Sequence, residues 1–125
     1  MRRIPVVMTF AGHDPGGGAG VQADIEALFS QGCRAASVVT ALTVQDTADV
    51  MAFHPVEPGH VVSQARAILE DMPVAAFKTG MLGSVENCAA IHSILADYPD
   101  IPLVLDPVLA SGGGTALAED GLTDA

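Results

Sequence analysis

Apolar positions along the chain fall into short continuous runs and longer stretches at helical spacing. Ile4 to Phe10 is an almost unbroken apolar run closed by a glycine segment. Buried parallel strands read this way because both faces are covered. Val21, Ile25, Leu28 and Phe29 then recur at helical spacing and predict one face of a helix that Gly32 stops. Ala35 to Thr40 predicts a second strand, Ala41 to Asp49 a mixed segment, and Val50 to Val56 a short strand. Pro58 suits a helical first turn and opens a helix running to about Asp71, with Val61, Ala65, Ile68 and Met72 on one face. Val74 to Phe77 predicts a strand, followed by a turn from Lys78 to Gly83. Ser84 is placed to cap a helix that carries Cys88, Ile91 and Leu95 inward. Ile101 to Leu105 predicts the next strand, ended by Asp106 and Pro107. A second flexible loop at Gly112 to Gly114 and a helix opening at Ala118 complete the pattern.

Strands alternating with helices at this spacing imply βαβ units, an α/β fold and a mostly parallel sheet. Right-handed crossovers bring the loops that follow the strands to one sheet edge. Ligands of open α/β sheets bind outside that carboxyl edge. Gly12 to Gly20, Gln45, Lys78 to Met81 and Asp106 to Gly114 collect there, so periodicity locates a site before any chemistry is assigned.

Composition narrows the chemistry. The 125 residues suit one domain, and half of them are hydrophobic. Fifteen acids against five bases give a net charge of −10, which excludes a whole-protein basic footprint for nucleic acid or an anionic membrane. No apolar run approaches the ~20 residues of a membrane span. The short apolar run after Arg2 and Arg3 reads as a first strand rather than a signal peptide. Cys33 and Cys88 have no metal spacing and read as free thiols of a cytoplasmic protein.

The loop Ala11 to Gly20, AGHDPGGGAG, has more glycine than a tight turn needs. Glycine permits close backbone approach, and the following helix start offers unpaired N–H groups to a small ligand or a phosphate. The loop is not a Walker A motif, because no Gly-Lys-Ser/Thr follows. Val21 stands where a dinucleotide fingerprint needs its third glycine, which disfavours a Rossmann oxidoreductase. Asp24 either answers the helix dipole or accepts a hydrogen bond from a ligand hydroxyl. Gln45 is either a surface loop residue or an amide that reads a heterocycle with adjacent donor and acceptor. Lys78, the only lysine, either meets a phosphate or snorkels at a strand end. Asp106 either ends a turn or orients Mg²⁺ and polarises a hydroxyl. The four histidines show no ligand spacing, and no nucleophile elbow is present, although His13 sits in the glycine loop.

Four blocks in order carry a resemblance: AGHDPGGGAGVQAD from Ala11, VTALTVQDT from Val39, KTGMLG from Lys78 and LVLDPVLASG from Leu103. Together they resemble the hydroxymethylpyrimidine/phosphomethylpyrimidine kinases of thiamine biosynthesis, within the ribokinase-like superfamily, over essentially the whole chain. The resemblance implies a three-layer αβα fold, ATP as phosphoryl donor with Mg²⁺, and a homodimer. It implies phosphorylation of hydroxymethylpyrimidine and then of its monophosphate. On the family pattern Gln45 pairs with the aminopyrimidine edge, and Gly12, Ala19, Val44, Met81 and Val108 line the pocket. Asp24 lies near the hydroxymethyl group, Asp106 near the Mg-ATP phosphates, and Lys78 is the phosphate-binding candidate. Many relatives have Ser in place of His13 or Gly16, changes that touch the pocket wall.

Relatives run to about twice this length, and their second half carries magnesium, anion-hole and activating residues. Phosphoryl transfer rests on such positioning and charge stabilisation. Residues 1–125 are therefore expected to be the N-terminal part of one truncated kinase domain. Pyridoxal or pyridoxamine kinase is the close rival, and a non-catalytic pyrimidine-binding fragment the rival of a different class.

Overall fold

A computed structural model describes residues 4–105. The element order is β1 (Val6–His13), α1 (Gly20–Ser30), β2 (Arg34–Gln45), β3 (Val50–Pro55), α2 (Pro58–Leu69), β4 (Ala76–Thr79), α3 (Val85–Asp97) and β5 (Leu103–Leu105). These form one five-stranded sheet in the order β3-β2-β1-β4-β5. β1 pairs in parallel with β2 and β4, β4 pairs in parallel with β5, and only β2 with β3 is antiparallel. The chain winds outward from β1 to β2 and β3, then crosses back to β4 and β5. The reversal of strand order falls at β1, whose carboxyl end is thus the switch point where such sheets bind ligands.

Strand alternation separates two helical layers. Met8, Phe10, Val38 and Phe77 form one core cluster with Val61 and Ala65 of α2 and Ile91 and Ile94 of α3. Phe77 stands between Phe10 and Tyr98, with ring centroids 6.1 and 6.5 Å away. The residues one step along, Thr9 and Lys78, turn to the opposite face, where both reach Asp24 of α1. Helices therefore cover both faces, as the three-layer expectation requires.

Helix boundaries follow local chemistry. Pro58 is the first residue of α2, and the Ser84 hydroxyl accepts from the Asn87 amide to cap α3. Gly20 begins α1 at φ +68°, and a Cβ there would stand 2.2 Å from the Gly12 carbonyl oxygen. Only glycine allows that approach.

Five expectations are corrected. β1 runs on through Gly12 to His13, and β2 runs through the mixed segment to Gln45. There Ala41 and Thr43 are buried while Leu42 and Val44 face out, so apolar periodicity points the wrong way. Lys78 and Thr79 belong to β4, not to the turn after it. In α1 the buried residues are Val21 and Asp24, whereas Ile25 and Phe29 are exposed, because the sheet beneath presents polar partners. In α3 the buried line is Asn87, Ile91 and Ile94, with Cys88 and Leu95 at its margins. Asp106, Val108, the Gly112–Gly114 loop and the expected last helix lie outside the described residues.

Candidate functional site at the carboxyl edge

The glycine loop is organised by Asp14, which is 6% exposed. Its carboxylate accepts from the Gly16 amide at 2.8 Å and the Ala19 amide at 2.9 Å, and its carbonyl accepts from Gly17 at 3.0 Å. Its own N–H donates to Gln22 Oε1 at 3.1 Å. An Asp before Pro-Gly is a turn signal of this kind, since a short carboxylate reaches the amides that follow it. Ala19, the residue before α1, is held in extended conformation by its bond to Asp14. Ala19, the N-cap, makes no side-chain capping bond, and the first turn of α1 carries no acid.

Beside this loop, the end of β2 forms a polar chain. Gln45 Nε2 donates to Thr43 Oγ1 at 2.5 Å, and Thr43 Oγ1 donates to the His13 carbonyl at 2.6 Å. The chain joins β2 to the last residue of β1 and fixes which way the Gln45 amide faces. The turn after Gln45 is held by Asp46, whose Oδ1 accepts from the Ala48 and Asp49 amides at 2.8 and 3.0 Å. Those backbone donors, Asp49 first and then Ala48, lower the Asp46 pKa.

Met81 closes the site from the β4 side. A Cβ placed on Gly12 would stand 2.5 Å from Met81 Cε and 3.8 Å from Thr43 Cγ2. Gly12, Thr43 and Met81 are therefore one wall, and Met81 packs with Ala41, Val50 and Phe53 behind it. Gln45 is half-buried next to this wall. Val44 lies elsewhere: it alternates to the face of β2 away from Thr43 and is exposed.

Asp24 and Lys78 form a second cluster, between α1 and the sheet. Asp24 is 8% exposed; its Oδ2 accepts from the Thr9 hydroxyl at 2.5 Å, and its Oδ1 pairs with the Lys78 ammonium. The structure thus engages Lys78 with a carboxylate and gives both Asp24 oxygens protein partners. Asp14, Thr9 and Thr43 escaped the sequence reading. Asp14 carried a recognisable signal in its Pro-Gly context, whereas the two threonines sit in apolar runs without one. Among the described residues, no group of three His, Cys, Asp or Glu side chains is arranged to hold a metal ion. None of their helices is long and apolar enough to cross a membrane.

A model of the family described as phosphomethylpyrimidine kinase matches residues 14–125. The chain is 44% identical to a thiamine biosynthesis bifunctional protein of Geobacter sulfurreducens, covering 96% of this chain and 25% of that protein. It superimposes on a phosphomethylpyrimidine kinase of Clostridium difficile 630 with a TM-score of 0.83 at 36% identity, covering 94% of this chain and 51% of that one. A Staphylococcus aureus pyridoxal kinase in complex with pyridoxal gives 0.81 at 26% identity, covering 98% and 45%. The chain therefore spans about half the length or less of these proteins.

Proposed function

Because the chain belongs to the phosphomethylpyrimidine kinase family, we propose that its carboxyl edge is the substrate half of a kinase that phosphorylates hydroxymethylpyrimidine and its monophosphate for thiamine biosynthesis. The observation that carries this reading is the Gln45 amide, oriented by Thr43 against the Gly12–Met81 wall. One Nε2 hydrogen serves Thr43, and the second N–H with the carbonyl Oε1 is the donor–acceptor pair that an aminopyrimidine edge complements. Gly12, Ala19 and Met81 line the ring, while Val44, a pocket candidate on the family pattern, faces away from Thr43 and is exposed. Asp24 sits under the hydroxymethyl end with Lys78 beside it, where the pair holds α1 and its open N–H groups toward a phosphate. ATP supplies the phosphoryl group. No metal role is assigned to the described residues; Asp106, the candidate near the Mg-ATP phosphates, and Val108, a pocket candidate, lie beyond them.

Residues 1–125 then form the N-terminal part of one kinase domain, which its free Cys33 and Cys88 assign to the cytoplasm and the family resemblance assigns to a homodimer. Pyridoxal kinase is the second reading, supported by the superposition at 26% identity. The higher identity to the phosphomethylpyrimidine kinase, 36%, favours the pyrimidine.

Calorimetric titration of the chain with hydroxymethylpyrimidine, and with pyridoxal for comparison, tests the proposal. Saturable pyrimidine binding that Gln45→Ala weakens by about 1–3 kcal/mol, the scale of an unpaired buried polar group, is the expected result. Equal affinity of the wild type and Gln45→Ala removes Gln45 from the site. Preferential pyridoxal binding transfers the site to the second reading.

A further inference from the structure

The pairing of β1 with β2 is interrupted at the mouth of the site. Ala11 pairs with Val39 and Gly12 with Ala41, so Thr40 is an extra residue on β2. Bulges of this kind re-aim groups next to active sites. Thr40 is fully buried, and the bulge turns its polar atoms out of the ladder. Its carbonyl accepts from the Val56 amide at 2.8 Å and from Asn87 Nδ2 at 3.2 Å. Its hydroxyl donates to the Met81 carbonyl at 2.5 Å.

Asn87 braces the same junction from α3. It is fully buried, and Nδ2 also lies 2.9 Å from the Val56 carbonyl and 3.2 Å from that of Leu82. Its Oδ1 has no hydrogen-bond partner among the described residues. An amide that leaves its acceptor buried and unpaired is retained for its donors, since that atom is costly to bury. The loop it grips is close-packed: at Gly83, φ +88°, a Cβ would stand 3.1 Å from the Thr40 carbonyl. Thr40 and Asn87 thus hold Met81 and Leu82 from both sides, and Met81 Cε lies against Gly12.

We propose that Thr40 and Asn87 are positioning residues that set the Met81 side of the substrate pocket and hence its width over Gly12. This rests on the pyrimidine-site reading for its functional consequence, while the placement of Met81 stands on the contacts alone. Neither residue needs to touch substrate. Thr40→Val replaces the hydroxyl that holds Met81 with a methyl, and Thr40→Ser keeps the hydroxyl.

The test uses the chain labelled with ¹³C at its methionine methyls. In the wild type, the Met81 methyl shows a nuclear Overhauser contact to the Gly12 α-protons. Thr40→Val, and Asn87→Leu as an independent second variant, lose this contact and shift the Met81 methyl. The methyl of Met8, buried in the main core, keeps its position and reports that the fold is intact. Thr40→Ser retains the contact. Hydroxymethylpyrimidine affinity falls roughly tenfold in Thr40→Val and is kept in Thr40→Ser, the scale of about one hydrogen bond's loss. Persistence of the Met81–Gly12 contact in Thr40→Val, with the Met8 methyl unmoved, overturns the inference. Absence of pyrimidine binding by the wild type instead overturns the substrate reading, and the ligand-free spectra still decide whether Thr40 places Met81.

Discussion

The docking of α1 depends on a polar pair more than on its apolar face. Ile25 is 43% exposed and Phe29 81%, so Val21 and the half-buried Leu28 carry what apolar burial α1 has. Asp24 and Lys78 supply the rest, with side chains 10% and 27% exposed. Lys78→Met keeps the aliphatic stem and strands the carboxylate with the Thr9 hydroxyl. Breaking a fully buried pair costs about 3–5 kcal/mol, and water at the partly exposed lysine lowers this to about 2–3 kcal/mol. Asp24→Asn keeps an acceptor for Thr9 and lets the lysine reach water, at about 1–2 kcal/mol. In the double variant neither charge is stranded, so its loss falls short of the sum by about 1–2 kcal/mol. Urea unfolding of all four chains, followed by circular dichroism, measures this coupling. A coupling below about 0.5 kcal/mol refutes the anchoring role, because that is the additivity of independent sites. Lys78 would then be better spent on a phosphate.

Other consequences follow from the same contacts. Gly20→Ala drives a Cβ to 2.2 Å from the Gly12 carbonyl oxygen, and the overlap cannot be relieved by a rotamer change. It should destabilise the chain by more than about 2 kcal/mol. Gly18→Ala, whose Cβ meets only Asp14 Oδ2 at 3.8 Å, should stay within about 0.5 kcal/mol of wild type in the same denaturation assay. Asp46 has a lowered pKa in the folded chain, so its contribution to the β2–β3 turn is present above its unfolded value. That contribution is lost as pH falls through the folded value. A carboxyl titration by nuclear magnetic resonance should place Asp46 below the ordinary aspartate range, and a value at or above that range contradicts the turn hydrogen bonds.

What was legible in the sequence depended on who each residue's neighbours are. α2 was readable because Val61 and Ala65 meet an apolar sheet face, and Pro58 and Ser84 marked helix starts through backbone chemistry that needs no partner. The parallel pairing that brings the loops after β1 and β4 to one sheet edge was readable from strand–loop order alone. The face of α1 was not, because its inward residue is an acid whose partners, Thr9 and Lys78, lie 15 and 54 positions away. The end of β2 was missed for a related reason: Thr43 is buried to bond His13 and Gln45, while Leu42 and Val44 face out. The pairing of β2 with β3 was hidden by the turn, since Asp46 closes it through side-chain hydrogen bonds without an Asn-Gly or Asp-Gly signal. Around the candidate site, Gly12 packs against Met81 and Gln45 bonds Thr43 of the same wall, and Thr40, Thr43 and Asn87, which hold them, carry no local signature.

The central claim is that an aminopyrimidine lies against Gln45 between Gly12 and Met81. Its most direct test is the nuclear magnetic resonance spectrum of the chain during titration with hydroxymethylpyrimidine, read at the Gln45 side-chain amide and the Gly12 backbone amide. Both should shift together and saturate, with smaller movements in pyridoxal, while signals around the Arg66–Asp97 ion pair on the far helical layer stay fixed. Saturable shifts that spare Gln45 and Gly12, or no shifts from a folded chain, would contradict it.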